Sequence, residues 1–142
     1  MIKGVLVTKL NMVDAPGGGV MHAMKETDTG YLGFGEAYFS NINYNSMKGW
    51  KRHREMTLNL IVPFGTIKFI LFDDRDEEVK FQEITLSRSN YSRLTIPPMI
   101  WMCFQGLSEA GSMLLNIANI EHNPHEVDRK ELNEIQYKWR ES

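Results

Sequence analysis

Short runs of β-branched, aromatic and aliphatic residues recur along this chain at intervals of about ten residues, each closed by Gly, Pro, Asn, Asp or Ser. That rhythm leaves little room for long helices and predicts many short strands. Residues 57–63 alternate Thr57, Asn59 and Ile61 with Leu58, Leu60 and Val62, the pattern of a half-buried strand. Residues 66–72 are β-branched and aromatic almost throughout, which predicts a strand covered on both faces. Further strands are expected over 4–10, 36–44, 81–86, 91–96, 100–105 and 112–120, with a short apolar run at 20–24. Asp14-Ala15-Pro16-Gly17-Gly18-Gly19, Thr27-Asp28-Thr29-Gly30, Gly65 and Pro97-Pro98 supply the turns. Lys48-Gly49-Trp50-Lys51-Arg52-His53 reads as another turn, setting polar side chains ahead of the strand at 57. The set predicts an all-β sandwich or barrel. Residues 124–133 are charged and helix-compatible with Pro124 near the start. They predict a short C-terminal helical tail that docks through Val127, Leu132 and Ile135.

The chain has 142 residues, which suits one domain spanning 1–142. A net charge of −2 gives no electrostatic case for nucleic acid or an anionic membrane. No apolar run approaches the roughly 20 residues of a membrane span, and no long apolar core follows the charge near Met1. Cys103 is the single cysteine, so no internal disulfide forms. Its apolar surroundings, Ile100-Trp101-Met102-Cys103-Phe104, predict a buried and inert thiol. A soluble cytoplasmic protein is expected.

Chemistry-bearing residues concentrate around 48–54. Lys48, Lys51, Arg52, His53 and Arg54 form a local basic cluster that either meets a phosphate or is a solvated turn. His53 is a general acid/base or ligand contact, or else a structural histidine. A lone imidazole does not make a metal site, because catalytic sites typically use three protein ligands; no metal is expected. Trp50, Trp101, Tyr38 and Phe39 offer flat apolar faces for a base or sugar, or simply fill the core. His122 and His125 flank Asn123-Pro124 and are expected to be exposed.

Several motifs, taken in order, resemble the cupin-fold sugar-nucleotide epimerase family, typified by dTDP-4-dehydrorhamnose 3,5-epimerase. They are Asp14 with its glycine run, Lys48-Gly49-Trp50-Lys51, Gly65, and Phe72-Asp73-Asp74-Arg75. Leu86-Ser87 with Asn90, Ile96-Pro97-Pro98 with Phe104, Asn123-Pro124, and Ile135 with Trp139 continue the series. The resemblance implies a cupin, or double-stranded β-helix (jelly-roll), barrel. It also implies a homodimer built through an N-terminal strand, and a nucleotide-linked sugar as the small-molecule partner, with no cofactor.

By the same resemblance, Lys51 stands where the family has its His base, Asn116 where it has its Tyr acid, and Met102 where it has a second His. Asp73 is kept. His22 falls in an early segment that reaches over the barrel mouth in relatives. A free lysine titrates near 10.4 and is protonated at neutral pH. Lys51 is therefore a base only if burial or neighbouring cations lower its pKa; otherwise it stays charged and binds a phosphate or carbonyl oxygen. Asn116 exchanges hydrogen bonds but returns no proton. The implied catalytic set is Lys51, His53 and Asp73. The implied substrate-binding set is Lys48, Arg52, Asn116, His22, Trp101 and Met102, with Lys48 and Arg52 on the diphosphate. The implied activity is epimerisation or isomerisation of a 4-keto-6-deoxy sugar nucleotide in cell-surface polysaccharide biosynthesis. The alternative is a binding protein of the same fold that has lost the proton-transfer pair. A metal cupin such as an oxygenase is a third reading, disfavoured by its ligand count.

Overall fold

The computed structural model describes residues 1–137. Its strands are β1 (Leu6–Lys9), β2 (Met12–Val13), β3 (Val20–Met21), β4 (Glu36–Ile42), β5 (Met47–His53) and β6 (Leu58–Phe64). They continue as β7 (Thr66–Asp73), β8 (Lys80–Ser87), β9 (Ser92–Ile96), β10 (Trp101–Gly106), β11 (Ser112–Ala118) and β12 (Val127–Arg129). Two five-stranded antiparallel sheets result, in the orders β1-β9-β6-β11-β4 and β12-β5-β10-β7-β8. β2 and β3 form a small separate hairpin. Most strands of the two sheets pair with non-sequential neighbours, which is the jelly-roll solution: the inner faces of two sheets enclose one interior.

Gly65 makes the corner on which this depends. β6 and β7 are consecutive in the chain yet lie in opposite sheets, so the chain must cross between layers within one residue. Gly65 does so with φ +80°, and a Cβ there would lie 2.3 Å from Ser112 Oγ. Ser112 binds the corner from the far sheet: the Thr66 amide donates to its Oγ at 3.1 Å, and that hydroxyl donates to the Thr66 carbonyl at 3.1 Å.

β7 is covered on both sides, as its β-branched and aromatic run predicts. Ile67, Phe69 and Leu71 join the inter-sheet core with Leu86, Leu94 and Ile96. Ile70 and Phe72 point the other way, into a second cluster with Trp50, Trp101, Cys103 and Ile135. Burial pushes the Cys103 thiol up to about 12, so it is inert, as expected.

Two expectations need correction. Residues 124–137 are not a helix. They form short 3₁₀ turns at Pro124–Glu126 and Leu132–Glu134 on either side of β12, which pairs with β5. Of the three expected docking residues, Ile135 buries its side chain, while Leu132 contributes a carbonyl that accepts from Trp50 Nε1 at 3.2 Å. A charged segment with few apolar residues gains more here from ladder hydrogen bonds and cover over a tryptophan than from helix propensity. Trp139 lies outside the described residues. Likewise, residues 48–53 are not a turn but most of β5, held between β10 and β12.

Gly49 lets β5 approach β10 closely, next to an irregularity in their register between Met102 and Phe104. Its φ is +141°, and a Cβ there would lie 2.7 Å from Cys103 Cα and 2.8 Å from the Met102 carbonyl oxygen. Gly49→Ala is therefore expected to cost about 1–3 kcal/mol as an overpacking substitution. It would appear as a lower urea midpoint at unchanged slope. An unchanged midpoint would mean that β5 has slack the packing does not suggest.

Candidate active site

Alternation along the inward-facing strands decides which side chains reach the interior. The side around β7, β8 and β9 is filled by large apolar residues. The side bounded by β4, β5, β10 and β11 holds a cavity of about 540 Å³. Leu58, Leu60, Leu114, Met102 and Phe104 give it an apolar lining. Its polar groups come from three places: Lys48, Lys51 and His53 on β5, Tyr38 and Asn116 on β4 and β11, and Arg129 with the turn that follows β12.

His53 is the best-defined of these groups. It is 8% exposed, and its Nδ1 is hydrogen-bonded to Glu126 Oε1. Glu126 is 3% exposed. It also accepts from the amides of Glu55 at 3.1 Å and Met56 at 3.2 Å. Burial alone would raise the Glu126 carboxyl, but hydrogen bonds from His53 and from those two amides hold it below its ordinary value. An ionised carboxylate accepts only, so Nδ1 carries the proton and Nε2 has a free lone pair. Burial holds the imidazole below its usual pKa, with Lys51 and His122 adding to the effect and Glu126 opposing it. A neutral, oriented imidazole at neutral pH results.

Tyr38 and Asn116 are directly opposed across the β4–β11 pair. Asn116 Nδ2 donates to the Tyr38 hydroxyl oxygen at 3.1 Å. Asn116 is 5% exposed and Tyr38 43% exposed. The amide therefore fixes a phenol that remains open to solvent on the sheet opposite His53. The Tyr38 hydroxyl still has its own proton to donate.

Lys51 is half-buried on the same strand as His53, opposite Arg129 on β12 and Met102 on β10. Burial lowers its pKa, Arg129 and Lys48 lower it further, and Glu126 partly offsets them. Lys48 lines the cavity from an exposed position.

The structure thus gathers Lys48, Lys51, His53, Asn116 and Met102 from the sequence-derived set. It does not bring in the other four. Asp73 is at the end of β7, gripped by Arg75 through Nε at 2.8 Å and Nη2 at 3.0 Å; the hydrogen bonds from Arg75 keep its carboxyl well ionised. Arg52 points to the outer face of β5, bonded to Asp128 at 2.7 Å and lying 4.6 Å over the Trp101 ring. Trp101 packs on that face too and donates to Asp74 at 3.3 Å. His22 borders a separate hollow of about 140 Å³ beside the buried Arg93, and its carbonyl accepts from the Tyr91 hydroxyl at 2.8 Å.

Sequence reasoning missed Glu126 and Arg129 and gave Tyr38 only as a stacking or core aromatic. Tyr38 shares its face with Ser40 and Ile42 by simple alternation, a signal that was available. Glu126 had none, since it meets His53 across 73 residues of chain. Among the described residues no group of three His, Cys, Asp or Glu is placed to hold a metal ion. No described helix is long and apolar enough to cross a membrane.

Two packed jelly-roll sheets with a polar-lined cavity between them define a cupin-type barrel. Residues 10–137 match the family model described as FdtA (WxcM-like, C-terminal), and the chain belongs to that family. The structure is similar to a dTDP sugar isomerase from Desulfovibrio desulfuricans G20, with a TM-score of 0.92 and 31% identity over 97% of this chain and 92% of that one. Two more distant structures share the fold. One is QdtA, a sugar 3,4-ketoisomerase from Thermoanaerobacterium thermosaccharolyticum solved with TDP (TM-score 0.78, 19% identity, 92% of this chain and 90% of that one). The other is dTDP-4-dehydrorhamnose 3,5-epimerase from Elizabethkingia anophelis NUHP1 (TM-score 0.80, 16% identity, 99% and 84%). No curated protein sequence matches the chain.

Proposed function

We propose that this protein is an epimerase or isomerase of nucleotide-linked 4-keto-6-deoxy sugars, with His53 as base and Tyr38 as acid. The observation that carries the reading is the buried Glu126–His53 pair, which leaves one unprotonated imidazole nitrogen for the cavity. Removing a proton α to a ketone needs a base that is neutral at working pH and held in place. His53 Nε2 takes the carbon-bound proton and Tyr38, carried on the opposite sheet, returns one. Lys51 faces the ketone, while Lys48 and Arg129 supply positive charge for the diphosphate. Arg52 has no part in this scheme, since Asp128 and Trp101 already hold it. QdtA has been solved with TDP and, as a variant, with TDP-4-keto-6-deoxyglucose, which supports the substrate class.

The protein works in the cytoplasm as a homodimer, supplying sugars for cell-surface polysaccharide. Support for the dimer comes from β1, an edge strand that pairs with β9 alone among the described residues and carries the exposed Val7. A second copy covers such an edge. Purified protein incubated with TDP-4-keto-6-deoxyglucose in deuterated buffer should exchange the proton beside the ketone, read as loss of its proton NMR signal. Saturation transfer to the sugar without exchange would overturn the enzyme reading in favour of a carbohydrate-binding protein.

A further inference from the structure

The cavity holds a nucleophile that proton transfer by His53 and Tyr38 leaves unused. The Lys51 side chain forms no hydrogen bond and no ion pair with any described residue, although it is half-buried. Lysines in such positions ordinarily find a carboxylate. The groups that face it are Arg129 across the β5–β12 ladder, Lys48 along the strand, His53 two residues on, and Glu126 behind His53. Glu126 is committed to His53 and to two backbone amides. Glu131 and Glu134 line the rim, where Glu134 accepts from the backbone amide of Glu131. Met102 lies opposite Lys51 on β10, and the far sheet adds the apolar Leu58 and Leu60 with the neutral polar Tyr38, Ser40 and Asn116.

An amine desolvated among cations is the arrangement that frees a lysine for attack on carbonyl carbon. Burial, then Arg129 and Lys48, act in that direction on Lys51. Ser40 and Tyr38 are hydroxyls, and Cys103 faces the outer cluster, so Lys51 is the half-buried amine of this cavity.

We infer that Lys51 forms a covalent imine with the ketone of the substrate, making the cavity a Schiff-base site. This rests on the keto-sugar reading given above. The neutral amine adds through its lone pair to the carbonyl carbon, and a proton passes from the nitrogen to the carbonyl oxygen to give a carbinolamine. That hydroxyl leaves as water once protonated again, and a carbon–nitrogen double bond forms. The cationic iminium draws electrons from the neighbouring C–H bond. His53 Nε2 takes the proton, and the electron pair moves to give an enamine. Reprotonation at carbon and addition of water return the ketone and the free amine, with no oxidant or reductant consumed.

Borohydride supplies hydride to an iminium and converts it to a stable secondary amine. Protein treated with TDP-4-keto-6-deoxyglucose and borohydride should gain the mass of the sugar nucleotide less one oxygen, plus the two hydrogens of reduction less two lost on condensation. Peptide mapping should put the adduct on Lys51. Lys51→Arg keeps the charge without an imine-forming amine and should show no adduct, with its folding checked by thermal melting. Solvent exchange in the unmodified protein, without an adduct, would overturn the imine and leave the keto-sugar reading standing. An adduct on Lys48 or another lysine would equally overturn it. Loss of binding, exchange and adduct together would overturn both.

Discussion

Replacing His53 by Asn should lower kcat by about 10²–10⁴-fold, the usual contribution of a positioned acid–base group. Folding should survive. The Asn amide still offers a donor toward the buried Glu126 carboxylate, which keeps its two backbone donors at 3.1 Å and 3.2 Å. Turnover of TDP-4-keto-6-deoxyglucose and loss of its exchangeable proton would be followed together with thermal melting. Because the imidazole removes the proton, exchange should fall in step with kcat. A variant that melts normally and exchanges at the unmodified rate would remove His53 from the chemistry and turn attention to Lys51.

Glu126→Gln is the sharper substitution because it changes charge at nearly constant shape. Three donors converge on the carboxylate: His53 Nδ1 and the amides of Glu55 and Met56. A glutamine turns one of its two ends into a donor, so either both backbone amides lose the oxygen they share or His53 must accept at Nδ1. In the second case Nε2 carries the proton and cannot act as base. A loss of about 100-fold or more in kcat is expected, in line with removing the carboxylate that orients a catalytic histidine.

The pH dependence follows from the direction of the His53 shift. Burial holds it below about 6.5, the ordinary histidine value. The base must be neutral, so the His53 limb of kcat/KM should rise with pH and be centred below about 6.5. The Glu126 charge opposes the effect of burial, so the variant's limb should move to still lower pH. Stability has its own sign. Between the native pKa and about 6.5 the unfolded chain binds more protons than the native one, so the urea midpoint should fall as pH drops through that window. A limb centred above 6.5 would contradict the buried, neutral imidazole.

How much of this was legible depended on how local the signal was. β7 was legible because seven consecutive positions share one tendency. Gly65 was legible as a turn, though not as the crossing between two sheets. β5 was not, because Lys48-Gly49-Trp50-Lys51-Arg52-His53 carries four basic residues and a glycine and no apolar alternation. Its strand geometry comes from β10 and β12 on either side. Once it is a strand, parity follows: Lys51 pairs with Met102 toward the cavity, and Arg52 pairs with Trp101 on the outer face. Reading the segment as a turn set its basic residues side by side, and this is why Arg52 entered the site set; Trp101 entered it as an aromatic face for a base or sugar. Asp73 entered it through a motif whose work in this molecule is to hold Arg75.

The sequence by itself determined the all-β class and the turns between its strands, which follow from alternation and turn chemistry acting over a few residues; Lys51 and Asn116 were pointed to by the family resemblance and not by any periodicity. Only the tertiary structure decided that Glu126 orients His53, that Asn116 fixes Tyr38, and that Lys51 faces Arg129 without a carboxylate of its own. Those are contacts between strands far apart in the chain. Their energy appears only when the sheets close and remove the groups from water, and no local periodicity records it.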